Sequence, residues 1–380
     1  FGAIPFGVSF ALLWVIPATS SQIVLFLFYT GVYIFYEAAF TAVSCPYSAL
    51  TPELTDDHDE RTSLVTYRMA VSIGAGLAAP LLLGLVIFPM FPARDPRSYQ
   101  TIGIASGLAF IPPVLITFLG TRERKEFQVE APLPLKQSLG FIRRNSAFRS
   151  TVALRLLSWT PVVIVQAVFA YYLAYWTGMT EDETSMVQGL ILAVAFLFLP
   201  LVSYLSHRLE KRQAYTISMA SWAVVMLSIF LVPQGAKAPV YVLGALAGFG
   251  VSAAHVIPSA MTPDVMEVDE LMSGRRQEGV YAGIMTFIDK LARMAALAVL
   301  PLALRWAHYV QPTAVDPMPS QPVSALMALR ISVSVVPALL LIVSIPVARA
   351  YPLTRQRYEE IRQALATRRA HEKLQAASDG

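Results

Sequence analysis

The sequence predicts an all-α integral membrane protein built from two related halves, and three observations lead to this prediction. Apolar residues make up 56% of the 380 residues and charged residues 14%, which leaves too little polar surface for a soluble protein of this length. Ten apolar runs are long enough to cross a bilayer as helices. A short motif that follows the second run also follows the eighth, which indicates an internal duplication.

Composition also excludes several classes of protein. The net charge of +4 is modest and the basic residues are scattered, so we expect no nucleic-acid partner. Cys45, the single cysteine, excludes an internal disulfide and gives no zinc site. The chain opens in an apolar run without a basic leader, so we expect no signal peptide, and we expect that an N-terminal segment is missing.

The apolar runs are predicted to be helices, because backbone groups in hydrocarbon have to be hydrogen-bonded within the segment itself. Segments rich in helix breakers separate them, such as FPARDPRS at 91–98 and VPQGAKAP at 232–239. The ten runs are 3–17, 22–44, 65–88, 100–119, 151–176, 184–206, 214–233, 238–261, 280–304 and 324–348.

Lysine and arginine predict the orientation of these helices, because cytoplasmic loops carry the excess of positive charge. One set of alternate loops, together with the C-terminal tail, contains Arg61, Arg122, Arg124, Lys125, Lys136, Arg143, Arg144, Arg149, Arg208, Lys211, Arg212, Arg275, Arg276 and the arginines of 349–373. The opposite set contains Arg94, Arg97, Lys237 and Arg305. We therefore predict a multi-pass protein of the plasma (inner) membrane whose C-terminus is cytoplasmic.

The repeated motif defines the predicted halves. SALTPEL at 48–54 and SAMTPDV at 259–265 share Ser, Ala, Thr and Pro, and each follows an apolar run directly. Motifs six helices apart indicate two six-helix halves with a substrate site near the midplane between them. The predicted boundaries are an N-terminal half (1–120) with four helices, a cytoplasmic central loop (121–150), a six-helix C-terminal half (151–350) and a cytoplasmic tail (351–380). Two helices of a twelve-helix protein are then expected to be absent.

Two stretches resemble a known family. PYSALTPELTDDHDERTSLVTYR (46–68) and PDVMEVDELMSGRRQEGVYAGIMTFIDK (263–290) are similar to the loops that follow the fourth and tenth helices of the glycoside–pentoside–hexuronide:cation symporters. This is the melibiose permease group of the major facilitator superfamily, and the resemblance runs from its third helix to its twelfth. It implies a monomeric secondary transporter, not an enzyme. The transporter would move a sugar or glycoside with Na⁺ or H⁺ by alternating access, without any other cofactor.

A polar stripe on the run 22–44 is the first candidate site. Its members are spaced four, three and four residues apart and so share one helical face: Glu37, Thr41, Ser44 and Ser48. Such a stripe is typical of a cavity lining or a cation site, although helices also pack through Ser and Thr. By the resemblance, Thr41 lies near the cation site, and Ser44 replaces an aspartate that cation and sugar share. We expect Glu37 to compensate for that aspartate, and Ser44 and Ser48 to contact the substrate.

Charged residues inside other runs are further candidates. Asp289 and Arg293 are four residues apart and are expected to pair along one helix face. Lys290 points about 100° away from that pair. Lys290 matches a lysine at the family's cation site, and snorkelling to the interface is the alternative. Arg155, at a cytoplasmic helix start, is expected to snorkel.

Two residues are candidates for sugar binding chiefly through the resemblance. Arg68 matches an arginine that hydrogen-bonds the sugar, and a guanidinium fork suits paired hydroxyls. Without the resemblance, snorkelling would explain Arg68. His255 falls where the melibiose permease has a tryptophan that stacks on the sugar. The alternative for His255 is a buried histidine whose hydrogen bonds are satisfied within the protein.

The loop acids predict a cytoplasmic latch, by which we mean weak ion pairs that close the transporter reversibly. In the prediction Arg61 pairs with Asp264, and Arg208 or Arg276 pairs with neighbouring acids. In the resembling family the matching positions form such a network. The acids could instead cap helices, with Asp56 or Asp57 beginning one. The predicted latch residues are Glu53, Arg61, Arg208, Asp264, Glu267, Glu270, Arg276 and Glu278.

Two other functions fit parts of the sequence. DDHDE at 56–60 fits the loose acidic pattern by which intramembrane prenyltransferases hold Mg²⁺, but the arginines in both loops would offset the metal charge. The same transporter fold could instead carry a lysolipid or another amphiphile. The charged segment 353–375 is predicted to be a helix that is solvated or lies on anionic headgroups.

Overall fold

The computed structural model describes residues 2–19, 21–54, 67–76, 96–121, 144–274, 278–312 and 318–378, with single positions at 64, 78, 90, 140 and 316. The regular secondary structure in these ranges is helical. The helices are α1 (Ala3–Leu12), α2 (Gln22–Leu54), α3 (67–76), α4 (Pro96–Gly120), α5 (Ser146–Tyr172), α6 (Glu181–Arg208), α7 (Lys211–Phe230), α8 (Ala238–Ser273), α9 (Glu278–Trp306), α10 (Val323–Val333), α11 (Val335–Arg349) and α12 (Arg355–Ser378). A π-helical turn, Leu173–Thr177, extends α5.

Both copies of the repeated motif are helical, which corrects the prediction that they are loops. Residues 48–54 form the end of α2, and residues 259–265 lie inside α8. Proline usually breaks a helix interior because it lacks an N–H, yet α8 continues past Pro258 and Pro263. It ends at Gly274, whose left-handed φ of 75° suits glycine and whose N–H bonds to the Glu270 carbonyl.

Where the structure describes them, the apolar runs are helical close to the predicted positions; of the run 65–88 it describes residues 67–76 and 78. Among the described residues, seven helical segments are long and apolar enough to cross a membrane, and one of them, Val323–Arg349, comprises α10 and α11 together. The last predicted run is split at Ser334 into α10, with 11 residues, and α11, with 15. Pro337 explains the break, because it cannot donate the hydrogen bond that would close the turn onto Val333.

The chain divides into two compact units, and unit 1 consists of Phe1–Leu64, Gly74–Ala131 and Glu278–Thr286. Within unit 1, α1 packs against α4 and α2. Gly7 and Gly107 allow the first contact, because a Cβ atom on Gly7 would lie 2.4 Å from the Gly107 carbonyl oxygen. Stacked and edge-on aromatic rings of Phe6, Phe10 and Phe110 fill the neighbouring space.

Unit 2 consists of Val65–Ile73, Pro132–Gln277 and Phe287–Gly380. Its core is formed by α5, α6, α7, α8 and α11. A Cβ atom on Gly250 would lie 2.2 Å from the Trp222 ring, so glycine is required where α8 crosses α7. The C-terminal helix α12 packs on α8 and buries Ile361 and Leu365. The predicted charged helix is present and most of its described side chains are exposed, but these two apolar residues are covered by protein.

Candidate functional site

The polar stripe of α2 lies in unit 1 and has the predicted helical spacing. Glu37 is half-buried, and its carbonyl accepts a 2.6 Å hydrogen bond from Thr41 Oγ1. Ser44 Oγ is buried and has no hydrogen-bond partner among the described residues. Ser48 lies on the same helix, but its side chain is outside the described part of the chain. The stripe therefore places a carboxylate and a hydroxyl without a described partner on one mostly apolar helix.

A contact next to this stripe escaped the sequence analysis. Cys45 Sγ lies 3.9 Å from Thr286 Oγ1, so α2 meets the first turns of α9 inside unit 1. Thr286 Oγ1 also donates to the Ala282 carbonyl. A contact between residues 241 positions apart leaves no periodic trace in a single sequence, and nothing in the pattern could have predicted it.

A charged contact inside unit 2 joins Arg155 on α5 to Asp289 on α9. Arg155 Nε and Nη2 donate to the two Asp289 oxygens, each at 2.7 Å. The prediction that Asp289 pairs with Arg293 is therefore wrong, as is the prediction that Arg155 snorkels. The reason is geometric, since a guanidinium fork on a facing helix can engage both carboxylate oxygens and an i,i+4 neighbour seldom can.

Several side chains surround this ion pair. Arg155 Nη1 lies 3.4 Å from Ser259 Oγ, and Ser259 Oγ donates to the His255 carbonyl at 2.7 Å. The guanidinium carbon lies 5.8 Å from the centre of the Trp159 ring, which meets His255 edge-on with centroids 4.8 Å apart. Trp159 Nε1 is buried and has no partner among the described residues. We call Arg155, Trp159, His255, Ser259 and Asp289 the unit 2 polar cluster.

The other predicted cation and sugar residues lie as follows. Lys290 is half-buried beside Asp289 on α9, and Arg293 is exposed one turn further along. Arg68 is half-buried near the start of α3. Of the predicted sugar residues, His255 joins the unit 2 polar cluster, whereas Ser44 belongs to the α2 stripe in unit 1. The roles of these residues remain predictions.

The acid in the second repeat is held by a partner that the sequence analysis did not propose. Lys211 Nζ donates to Asp264 Oδ2 at 2.6 Å and to the Ala260 carbonyl at 2.8 Å. The other oxygen, Oδ1, is buried and has no partner among the described residues. Arg208, a predicted latch residue, is exposed and lies over the Tyr204 ring, and it forms no ion pair with a described residue.

The remaining latch residues are only partly described. Glu267 and Glu270 are half-buried on α8. Glu53 belongs to α2 and Glu278 begins α9, but both side chains lie outside the described part of the chain, as do Arg61 and Arg276. The latch therefore stays a prediction.

Two tyrosines from the C-terminal segment face the acids of α8. Burial raises the pKa of Tyr351, and the Asp264 carboxylate raises it further. Burial also raises the pKa of Tyr358, with added contributions from Asp264 and Glu267. Both phenols thus stay protonated at physiological pH. The Tyr358 ring also lies 5.9 Å from Lys211 Nζ, so the C-terminal helix helps to enclose the ion pair.

Arg330 is an intramembrane charge that the sequence analysis overlooked. Its guanidinium lies between the rings of Trp176 and Phe230, at 4.1 and 4.4 Å from their centres, and donates to the Phe230 carbonyl. These contacts stabilise the charge at the C-terminal end of α7, where the helix dipole favours a cation, while Arg330 Nε is buried without a partner among the described residues. The arrangement is typical of a structural role.

Comparison with known proteins assigns a class to this architecture. Residues 1–355 match the model of a family described as MFS/sugar transport protein. The chain is 26% identical to an uncharacterized symporter, sll1374, of Synechocystis, covering 97% of this chain and 82% of that protein. It is also 26% identical to the putative glycoside/cation symporter YagG of Escherichia coli, covering 97% and 79%. Identity to the sodium-dependent lysophosphatidylcholine symporter 1-B of zebrafish (Danio rerio) is 25%, covering 97% and 75%.

Solved structures confirm the predicted fold. A bacterial homologue of the iron transporter ferroportin in its outward-facing state aligns with a TM-score of 0.63 at 17% identity, covering 92% of this chain and 80% of that one. The E. coli fucose:proton symporter aligns with a TM-score of 0.58 at 13% identity, covering 93% and 84%. These relatives and structures are transporters, and none of them supports the prenyltransferase alternative.

Proposed function

Because the chain belongs to the MFS/sugar transport protein family, we propose that it moves a sugar or glycoside across the membrane together with Na⁺ or H⁺. Transport would proceed by alternating access. Similarity to a putative glycoside/cation symporter over 97% of the chain supports this choice of substrate class.

The α2 stripe is the observation that carries the proposal for coupling. Carboxylate and hydroxyl oxygens are the ligands that small hard cations prefer, and a carboxylate can also accept a proton. Glu37 lies two helical turns from Ser44, whose buried hydroxyl has no partner among the described residues. We propose that Glu37, Thr41, Ser44 and Lys290 act in coupling, and that Arg68, Ser44, Ser48 and His255 contact the substrate.

The setting of the protein is part of the same proposal. We propose a monomer in the plasma (inner) membrane with a cytoplasmic C-terminus, because the positively charged residues concentrate in one set of alternate loops and in the tail. No cofactor besides the coupling ion is proposed. The orientation is tested by substituting cysteine at Ala376 or at Gln311 and labelling intact cells with a membrane-impermeant thiol reagent. The predicted orientation is wrong if the cysteine at position 376 reacts.

Uptake in proteoliposomes tests the transport function. The full-length protein is reconstituted and given a panel of labelled sugars and glycosides, with Na⁺ and H⁺ gradients imposed separately. We expect one gradient to raise the accumulation of at least one sugar above its level at equilibrium. Equal uptake with and without either gradient would contradict coupling, and uptake of no member of the panel would contradict the substrate class.

Glu37→Gln tests the coupling residue. The substitution keeps the shape of the side chain and removes the charge, so we expect gradient-driven accumulation to be lost while exchange of substrate across the membrane continues. Glu359→Gln is the matched control, since Glu359 is exposed on α12 and pairs with Arg355. Accumulation by Glu37→Gln equal to that of the control would remove Glu37 from the coupling site.

A second candidate function is transport of a lysolipid on the same fold. It is favoured by 25% identity to a sodium-dependent lysophosphatidylcholine symporter over 97% of this chain. Competition separates the two candidates, because a lysolipid transporter should lose binding of labelled lysophosphatidylcholine to unlabelled lysolipid and keep it in the presence of simple glycosides. The reverse pattern with a labelled glycoside would support the sugar transporter.

A further inference from the structure

Trp159 carries a donor that the folded chain does not use. Its Nε1 is buried and has no hydrogen-bond partner among the described residues, although the side chain lies one turn from Arg155 on α5. A buried N–H without an acceptor is costly and rare in native proteins. A ligand that supplies an acceptor atom would account for it.

His255 offers the complementary group. Its Nδ1 lies 2.8 Å from the Val251 carbonyl oxygen. A carbonyl oxygen can only accept, so Nδ1 carries the proton, and in the neutral ring Nε2 is an acceptor. No described residue donates to Nε2. The His255 ring is in edge contact with Trp159, at 4.8 Å between centroids, so both groups belong to one small region.

Arg155 adds a second donor in a fixed position. Asp289 occupies Nε and Nη2 at 2.7 Å and thereby orients the guanidinium plane. Nη1 is left with a long contact of 3.4 Å to Ser259 Oγ. Because Nη1 carries two N–H groups and this long contact uses one of them, Nη1 has capacity for a further, closer acceptor.

Two donors and one acceptor beside an aromatic ring suit a hydroxyl group, which both accepts and donates. A phosphate oxygen would satisfy the donors and leave His255 Nε2 without a partner. We propose that Arg155, Trp159 and His255 form a subsite in unit 2 that binds a hydroxyl-bearing part of the transported molecule. In this subsite Trp159 determines specificity, and Asp289 and Ser259 position Arg155. This inference rests on the proposed transport function and goes beyond it by naming residues and ligand chemistry.

Trp222 provides a matched control. Its Nε1 is also buried without a partner among the described residues, but its ring packs against the backbone of Gly250 where α7 crosses α8. It has no charged side chain within ring-contact distance among the described residues. Trp222→Phe and Trp159→Phe therefore make the same chemical change in an apolar and in a polar setting.

Equilibrium binding to the full-length protein in detergent tests the subsite. The ligands are nitrophenyl glycosides of common hexoses and pentoses, their monodeoxy analogues, and lysophosphatidylcholine with its analogue that lacks the glycerol hydroxyl. For the ligand that binds, we expect Trp159→Phe to weaken affinity about three- to tenfold, the worth of one hydrogen bond, and Trp222→Phe to leave it unchanged. For one deoxy analogue the loss caused by Trp159→Phe should vanish.

Equal affinity of wild type and Trp159→Phe for every ligand would overturn the subsite. If only lysophosphatidylcholine binds, the sugar proposal is wrong while the subsite is still tested by the pair of lysolipids. Binding of neither class by the wild type would overturn both proposals. Should Trp159→Phe fold poorly, His255→Phe removes the acceptor instead, and its effect should vanish for a ligand whose donating hydroxyl is replaced by fluorine or a methyl ether.

Discussion

Lys211 and Asp264 meet where α7 begins, whereas Arg155 and Asp289 meet well inside α5 and α9. The first pair is the more enclosed, with the Asp264 side chain 7% exposed against 29% for Asp289. Lys211 is a point charge that also holds the Ala260 carbonyl, whereas Arg155 engages both oxygens of its partner and keeps a donor beside Trp159 and His255. We therefore expect the first pair to hold helices together and the second to orient a donor of the proposed subsite.

Asp264→Ala should have the largest effect on stability. It leaves Lys211 without its carboxylate in a mostly buried position, and loss of one member of such a pair costs about 3 kcal/mol. The free energy of unfolding, measured by SDS titration in mixed micelles, should fall by that order. Any substrate binding that remains in the folded fraction should have unchanged affinity. A loss of affinity without a loss of stability would contradict the contrast between the pairs.

Asp289→Asn should have the opposite pattern, with a large loss of substrate affinity and a small loss of unfolding free energy. The amide keeps the size of the side chain but can no longer neutralise and orient Arg155, so we expect substrate affinity to fall by about tenfold. The loss of unfolding free energy should be smaller, about 1 kcal/mol, because both side chains retain some solvent contact. The two quantities are measured on the same preparation, and a stability loss as large as that of Asp264→Ala would remove the distinction.

Arg155→Lys sharpens the comparison further. Lysine preserves the charge and loses the fork, so it should keep the pairing with Asp289 and lose the donor near Ser259 and Trp159. We expect affinity to fall by about threefold and the unfolding free energy to change by less than about 1 kcal/mol. Lys211→Arg is the matched reverse exchange in the other pair, and it should leave affinity unchanged.

Arg293→Gln should have the smallest effect. Arg293 is exposed on α9 and forms no ion pair with a described residue, so we expect changes within about 0.5 kcal/mol in the free energy of unfolding. Affinity and uptake should equal those of the wild type. A loss comparable to that of Asp289→Asn would revive the predicted i,i+4 pair.

Sequence reasoning predicted the fold through local patterns. Apolar runs and the positions of breakers identified the helices, because a helix in hydrocarbon has to satisfy its own backbone. The helix ends were harder, since α8 passes two prolines and extends to Ser273, twelve residues beyond the predicted end at 261. A proline in the sequence predicts that one backbone hydrogen bond of the helix is missing. Whether the helix continues past it depends on packing against neighbouring helices, which the sequence does not show.

The candidate site was only partly predictable. The spacing of Glu37, Thr41 and Ser44 follows from the helical period, and the structure places them on α2 as expected. The Arg155–Asp289 pair spans 134 residues, so it depends on which helices are neighbours in space, and a single sequence does not contain that information. No sequence pattern marked Trp159 as a candidate, because an indole N–H without a partner can be recognised only when the surrounding side chains are known.

The close contact of Gly7 with Gly107 limits how unit 1 can change shape. With backbone against backbone and Trp14 pressed on Gly103, α1 and α4 have no clearance to slide along each other. In any transport cycle these two helices would then move together as one rigid body. The hinges of the motion would lie in segments that are less closely packed. A bulky side chain at position 7 or 107 would therefore force α1 and α4 apart and should slow every step of the cycle to the same extent.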